Sequence, residues 1–206
     1  MLEKQQGQET PLLFLHSCCA PCSSYVLEYL APHFRILDFF YNPNISPEKE
    51  YRKRAEELQR LIRDMGLEDR VTYLEGKYDP ERFFAAARGL EQLPEGGERC
   101  TACFRLRLEE TARAAAAHGA DYVTTTLTIS PLKDAVRLNT IGEQVCETYG
   151  LTWLPSDFKK KNGYKRSVEL SAQYDLYRQD FCGCVFSARE RERQKAASQE
   201  TRERGL

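Results

Sequence analysis

Three tight groups of cysteine, far apart along the chain, constrain this sequence more than any other feature. Cys18, Cys19 and Cys22 form one group, Cys100 and Cys103 a second, and Cys182 and Cys184 a third, while the eighth cysteine, Cys146, stands alone. A disulfide-stapled scaffold would be shorter and denser in cysteine than a chain of 206 residues with 8 of them. The stretch from Met1 to Pro11 is rich in Gln and Glu and lacks the apolar run of a secretory signal, so a reducing cytoplasm is expected. Thiols grouped this closely in that setting point to metal or redox chemistry. A single polynuclear site requires the three groups to converge, and the fold has to bring them to one place.

With 41% hydrophobic residues, and 30 Lys+Arg against 31 Asp+Glu, the chain supports a core of its own and is not a disordered polymer. Its longest apolar stretches, such as Leu12–Leu15 and Ile36–Tyr41, fall short of the roughly 20 residues a membrane-spanning helix needs, so no membrane partner is expected. Pro11–Ser17, Phe34–Tyr41, Val71–Glu75, Tyr122–Leu127 and Leu151–Leu154 are rich in β-branched and aromatic residues and read as strands. Helical patterns separate them. Ser46 is expected to cap one, with Pro47 at its first position and a stripe of Ala55, Leu58, Leu61, Ile62 and Met65 before Gly66. Asp79–Pro80 opens another. A third runs from about Glu98 to His118, and a fourth from Ser130–Pro131 to Tyr149. The alternation predicts an α/β fold, Rossmann-like, with a mainly parallel sheet and helices on both faces over residues 11–155. Residues 1–10 are expected to be a flexible N-terminus. Residues 156–206 are expected to be a helical C-terminal extension completing the metal site, with Arg189 to Arg204 a solvated helix that frays.

In a doubly wound sheet, ligands bind outside the carboxyl ends of the strands. The segment from His16 to Cys22 follows the first strand and opens a helix, whose positive end favours thiolates. Cys100 and Cys103, spaced i, i+3 at another helix start, share a face. Cys182-Gly183-Cys184 places two thiols in a turn that glycine permits. A structural zinc would use four of the seven grouped thiols and leave three idle. An iron–sulfur cluster also uses four, and the remaining three suit a further metal or a redox pair. The layout strand, Cys19-Ala20-Pro21-Cys22, helix is also that of thioredoxin-like oxidoreductases. Cys146, on an apolar stripe with Leu138, Ile141 and Val145, reads as a core residue. His16, His33 and His118 read as packing or surface residues.

Two other segments carry candidate chemistry. Thr124–Lys133 (TTTLTISPLK) leads from a strand into a helix, so Thr125, Thr126, Ser130 and Lys133 suit an anionic or polar ligand, or simply form a capped helix. No GxGxxG or GxxxxGK[ST] is present. Phe158–Arg166 (FKKKNGYKR) gathers Lys159, Lys160, Lys161, Lys165 and Arg166 around Tyr164, which suits a phosphate backbone and a stacked base, or else a solvated basic loop.

The motifs LHSCCAPCSSY, FYNPNISPEKEYRKR, RCTACFRLRLEETA, TTTLTISPLKD, DFKKKNGYKRSVELS and YRQDFCGCVFS, in this order from Leu12 to about Arg191, resemble those of the cobalamin-independent epoxyqueuosine reductases, the QueH family. The resemblance implies reduction of epoxyqueuosine at the tRNA wobble position to queuosine, the last step of queuosine biosynthesis. It implies a 4Fe-4S cluster with an adjacent mononuclear iron, and an external electron donor. Cys18, Cys19, Cys22, Cys100, Cys103, Cys182 and Cys184 become the expected metal ligands; in some members an Asp stands where Cys22 is here. Cys22, Tyr164 and Asp180 are the candidate catalytic residues. The competing readings are a thiol–disulfide oxidoreductase using Cys19 and Cys22 and a zinc-stabilised tRNA-binding module.

Overall fold

Five runs of branched and aromatic residues form the strands β1 (Leu12–Ser17), β2 (Arg35–Phe40), β3 (Val71–Glu75), β4 (Tyr122–Thr125) and β5 (Thr152–Trp153). They make one parallel sheet in the order β3-β2-β1-β4-β5. Parallel neighbours require crossovers. These are supplied by α1 (Ala20–Leu30), α2 (Glu48–Asp64), α3 (Pro80–Ala87), α4 (Glu98–Ala117) and α5 (Ala135–Thr148), and α6 (Gly163–Gln173) and α7 (Val185–Glu203) follow the sheet. This computed structural model describes residues 10–203, with side chains to residue 199; the rest of the expected flexible N-terminus, and Arg204, lie outside the described residues. No described helix is long and apolar enough to cross a membrane.

Because successive strand residues point to opposite faces, the sheet carries two cores. Leu13, Leu15, Ile36 and Phe40 pack with Val26 and Leu27 of α1 and Leu58 and Leu61 of α2. Phe14, Phe39 and Val123 pack with Phe104 and Leu108 of α4 and Leu138 and Ile141 of α5. Each such side chain contributes about 1.5–3 kcal/mol through removal from water. The expected Rossmann-like arrangement is therefore present, with helices on both faces.

The helix starts differ from expectation in two places. The strand after Asp121 ends at Thr125, a 3-10 turn covers Thr126–Ile129, and α5 begins only at Ala135. Asp134, not Ser130, is the cap: its carboxylate accepts the N–H of Val136 (2.9 Å) and of Arg137 (3.1 Å). The Ser130 hydroxyl accepts the Leu132 N–H instead, the local turn that competes with a helix start. At α2, Pro47 itself is the cap residue, and the Ser46 N–H donates to the Gly183 carbonyl (2.9 Å).

Helix α6 lies on α1. Arg166 grips Glu28 of α1 through two hydrogen bonds of 3.0 and 2.7 Å, but both side chains are over a third exposed, so solvent screens the pair and it contributes little. Close approach matters more, because a Cβ at Gly163 would overlap the Phe158 carbonyl and the Tyr25 ring. Gly163→Ala is expected to cost about 1–3 kcal/mol, seen as a drop of several degrees in thermal unfolding midpoint. Arg166→Ala is expected to cost less.

On β2, Asp38 shares the face of Ile36 and Phe40, is fully buried, and neither carboxyl oxygen has a hydrogen-bond partner. Burial pushes its carboxyl up to about 7. With the folded value raised above the unfolded one, the native state holds the extra proton between about pH 4 and pH 7. Stability therefore falls as pH rises through that window, by a few kcal/mol. Asp38→Asn is expected to stabilise the chain more at pH 8 than at pH 5, measured by denaturant unfolding under identical anaerobic conditions; an equal effect at both pH values would contradict it.

Candidate functional site

The strand order reverses between β1 and β4, and the carboxyl ends of these strands part to leave a crevice. Cys18 and Cys19 immediately follow β1, Cys19 is the cap residue of α1, and Cys22 sits in its first turn. Their sulfurs lie within 4.8 Å of one another, the tightest such group among the described residues. From the β4 side, the Thr126 hydroxyl accepts the Cys18 N–H (3.3 Å) and donates to its sulfur (3.6 Å). Hydrogen bonds from Cys19 and Cys22 hold Cys18 well below the usual thiol value. The two donors move the other way, Cys19 up to about 12. Three sulfurs thus stand within reach of a single ion, an arrangement a cation completes by displacing thiol protons.

The other two groups meet beside this triad. Cys100 and Cys103, from the start of α4, line one recess with Cys182, Cys184, Arg99 and Asn44. Cys182 also lines the crevice that holds Cys18, Cys19 and Cys22, so the two cavities adjoin through its segment. That segment is held from α2: the Arg54 guanidinium donates to the Cys182 carbonyl (3.1 Å). Gly183 has φ +114°, and a Cβ there would come within 3.0 Å of Arg54 and Ile45. The Gly96 N–H points at the Cys100 sulfur (3.2 Å) and the Ser187 N–H at that of Cys184 (3.3 Å). Burial pushes Cys103 up to about 12 and raises Cys100 and Cys184 as well. All eight cysteines are free. The three groups therefore converge, as a set of three beside a set of four. Sulfurs that each bind a different iron of a cluster stand further apart than ligands of a single ion, and only the triad is drawn together to single-ion spacing.

Buried cations surround these sulfurs, and sequence reasoning missed them. Arg54, Arg99 and Arg107 are all at most 3% exposed. Arg107 donates to the His16 Nε2 (3.3 Å) and to the Asn42 side-chain oxygen. Burial and the Arg107 charge push His16 down to about 3, so its ring is neutral. His16 Nδ1 lies 2.8 Å from the Thr125 hydroxyl, and Nε2 is also 3.2 Å from the Tyr41 carbonyl. One guanidinium nitrogen of Arg54 and one of Arg99 are buried without a partner, each on a residue lining one of the two cavities. Soft donors in two sets, with unpaired N–H groups on residues that line the same cavities, fit an anionic thiolate–metal centre.

The other sequence-derived candidates divide. Ser130, Lys133, Tyr164 and Asp180 line the crevice with the triad. Burial alone would pull Lys133 down, but its place among the sulfurs of Cys182, Cys18 and Cys22 holds the ammonium above its usual value. The Asp180 carboxylate is engaged by Lys195 (2.6 Å), which holds it below the usual range. Thr126 touches Cys18, whereas Thr125 is tied to His16 and the Leu127 N–H, and the Thr124 hydroxyl turns to Leu154 and Ser156. In the basic run, Lys159 and Lys160 pair with Asp157, and Arg166 with Glu28 and Glu169, leaving Lys161 and Lys165 unpaired. Cys146 is buried in the α4–α5 core.

Metal bound per chain after anaerobic reconstitution is expected to fall in Cys19→Ser and in Gly183→Ala, and to stay unchanged in Cys146→Ala. Loss in the Cys146 variant would place that thiol in the site.

The family model for epoxyqueuosine reductase QueH matches residues 13–190. A Staphylococcus epidermidis protein named epoxyqueuosine reductase QueH is 46% identical over 188 residues, covering 89% of this chain and 79% of the relative. A Streptococcus pyogenes protein of the same name is 46% identical over 181 residues, 87% of this chain and 71% of its own. One from Thermotoga maritima is 36% identical over 190 residues, 89% of this chain and 94% of its own. With a family match across nearly its whole length and relatives this close, the chain belongs to the epoxyqueuosine reductase QueH family.

Proposed function

We propose that this chain reduces the epoxide of epoxyqueuosine carried in tRNA, giving queuosine. The supporting observation is the pairing of a tight three-sulfur group with a four-cysteine recess at the switch-point crevice, in a chain whose relatives bear the reductase name. The reaction takes up two electrons and two protons, breaks both C–O bonds of the epoxide, forms a C=C bond and releases water. Electrons come from an external donor. On this reading Cys100, Cys103, Cys182 and Cys184 hold a 4Fe-4S cluster, Cys18, Cys19 and Cys22 hold a single iron, and the helical part that follows residue 155 completes the centre through Cys182 and Cys184, in a protein of the reducing cytoplasm. When bound, the metals supply Lewis acidity and one-electron transfer.

The protein's own groups orient the substrate. Tyr164, 40% exposed on the crevice wall, offers a face for the nucleobase. Lys133, kept charged, and the Ser130 hydroxyl suit a phosphate or the polar edge of the nucleoside. Asp180, kept ionised, suits accepting a hydrogen bond from a substrate hydroxyl and is poorly placed to give up a proton. Lys161 and Lys165 are the members of the basic run left free for phosphate. A thiol–disulfide mechanism is disfavoured because it leaves the four-cysteine recess without a role and does not match the reductase name of the relatives.

Iron, sulfide and zinc counts on anaerobically prepared protein test the reading together with conversion of epoxyqueuosine-containing tRNA under a chemical one-electron reductant. Iron with acid-labile sulfide and product formation is the expected result; zinc without sulfide returns the chain to a binding module, and no metal with turnover to thiol chemistry. Lys133→Ala is expected to lower substrate use at least tenfold with iron content intact. Lys161→Ala with Lys165→Ala is expected to flatten the slope of log affinity against log salt by roughly 1.4, at about 0.7 per single-strand phosphate contact. An unaltered slope would leave that run as a solvated loop.

A further inference from the structure

Arg99 and Arg107 both project from α4 into the interior, at 3% and 1% exposure. Their hydrogen-bond partners are neutral: the Glu91 and Leu93 carbonyls for Arg99, the His16 ring and the Asn42 amide for Arg107. Among the described residues, no carboxylate lies within ion-pair distance of either, whereas the third buried arginine, Arg54, has Glu50 at 2.8 Å. A guanidinium buried among neutral partners is costly unless an anion stands beside it. Sulfurs stand beside both; the Glu95 carboxylate also lines the two cavities but is outside ion-pair distance of either arginine, and the Phe186 ring lies 4.8 Å from the Arg99 guanidinium. Arg99 lines the recess of Cys100, Cys103, Cys182 and Cys184, and its Nη2 is buried with no partner. Arg107 lines the crevice of Cys18, Cys19 and Cys22, and its charge also reaches Cys103.

We propose that Arg99 and Arg107 are the counter-cations of the metal centre, Arg99 donating an Nη2 hydrogen bond to the sulfur-rich anion in the four-cysteine recess and Arg107 balancing charge between that recess and the triad. The inference rests on the iron–sulfur reading above and extends it to residues that are not ligands. A donor and a positive charge beside a cluster stabilise its reduced, more negative state, and so raise its reduction potential. Arg107, nearer the triad, secures negative charge on its three sulfurs and thereby the ion they hold.

The test compares native protein with Arg99→Gln, Arg99→Lys and Arg107→Gln, all prepared anaerobically, by iron and sulfide content and by potentiometric titration of the cluster's spectroscopic signal. Arg99→Gln is expected to keep its sulfide and to show a reduced-to-oxidised ratio about tenfold lower at a fixed potential, a downward shift of about 59 mV for a one-electron couple. Arg99→Lys, which keeps the charge and loses the fork, is expected to shift less. Arg107→Gln is expected to lose iron with sulfide unchanged. An Arg99→Gln protein at native potential, or equal shifts in Gln and Lys, overturns the charge role of Arg99, and native iron in Arg107→Gln overturns that of Arg107. Should Arg99→Gln fail to fold, an unmoved potential in Arg99→Lys overturns the hydrogen bond. Native protein without acid-labile sulfide overturns the iron–sulfur reading and this inference with it, whereas native sulfide with unmoved potentials overturns the inference alone.

Discussion

The parallel pairing of β1 with β4 is the constraint on which the site depends. Its register sets Leu13 beside Tyr122 and His16 beside Thr125, so both strands end level with one another. The residues that follow then face each other across the gap, and the Thr126 hydroxyl reaches both the N–H and the sulfur of Cys18. A slip of one residue would turn Phe14 and His16 to the opposite core and carry the Cys18–Cys22 loop away from its partner. The buried face of α4 is locked to the same register, because Arg107 binds His16, which in turn binds Thr125. Cys100 and Cys103 are thereby fixed relative to the triad through the sheet, and the Cys182–Cys184 turn is fixed through α2 by Arg54 and Ser46.

The strands, the alternation with helices and the grouping of the cysteines are legible in the sequence because each rests on local pattern: β-branched runs, apolar stripes and residue spacing. The start of α5 is not, since Ser130-Pro131 and Asp134 are both good openers, and only the chain path decides that Asp134 caps while Ser130 closes a turn. The buried arginines are the larger omission. An arginine in a helix ordinarily faces water, and nothing in the strings around Arg54, Arg99 or Arg107 marks them as interior; their place is set by which helix face meets the sulfurs. Asp38 is hidden in the same way, one carboxyl inside the apolar run RILDFF.

These interior polar groups share one physical pattern. The protein buries positive charge beside thiols, keeps His16 neutral, and leaves donors of Arg54 and Arg99 unpaired. Such an interior is poor as a bare hydrophobic core, since unsatisfied buried donors and isolated guanidinium groups cost several kcal/mol each. It becomes reasonable when the sulfurs are thiolates. Binding of a cation to the thiols and retention of charge on the arginines are then mutually supporting, and metal binding and folding are linked in this region.

The same reasoning limits what the surface contributes to substrate recognition. Across the whole chain the formal charge is -1, so no general field draws RNA toward it. Of the five basic residues in the 158–166 run, Lys159, Lys160 and Arg166 already face carboxylates. On the proposed reading selectivity falls to the crevice, which Tyr164, Lys133 and Leu132, the last 78% exposed, line together with the sulfur triad. The form of substrate that on that reading suits such a crevice is a nucleoside extruded from a single-stranded loop. Lys161 and Lys165, the latter in α6, are on the proposed reading the members of that run left to hold flanking phosphates, since neither has a carboxylate partner among the described residues.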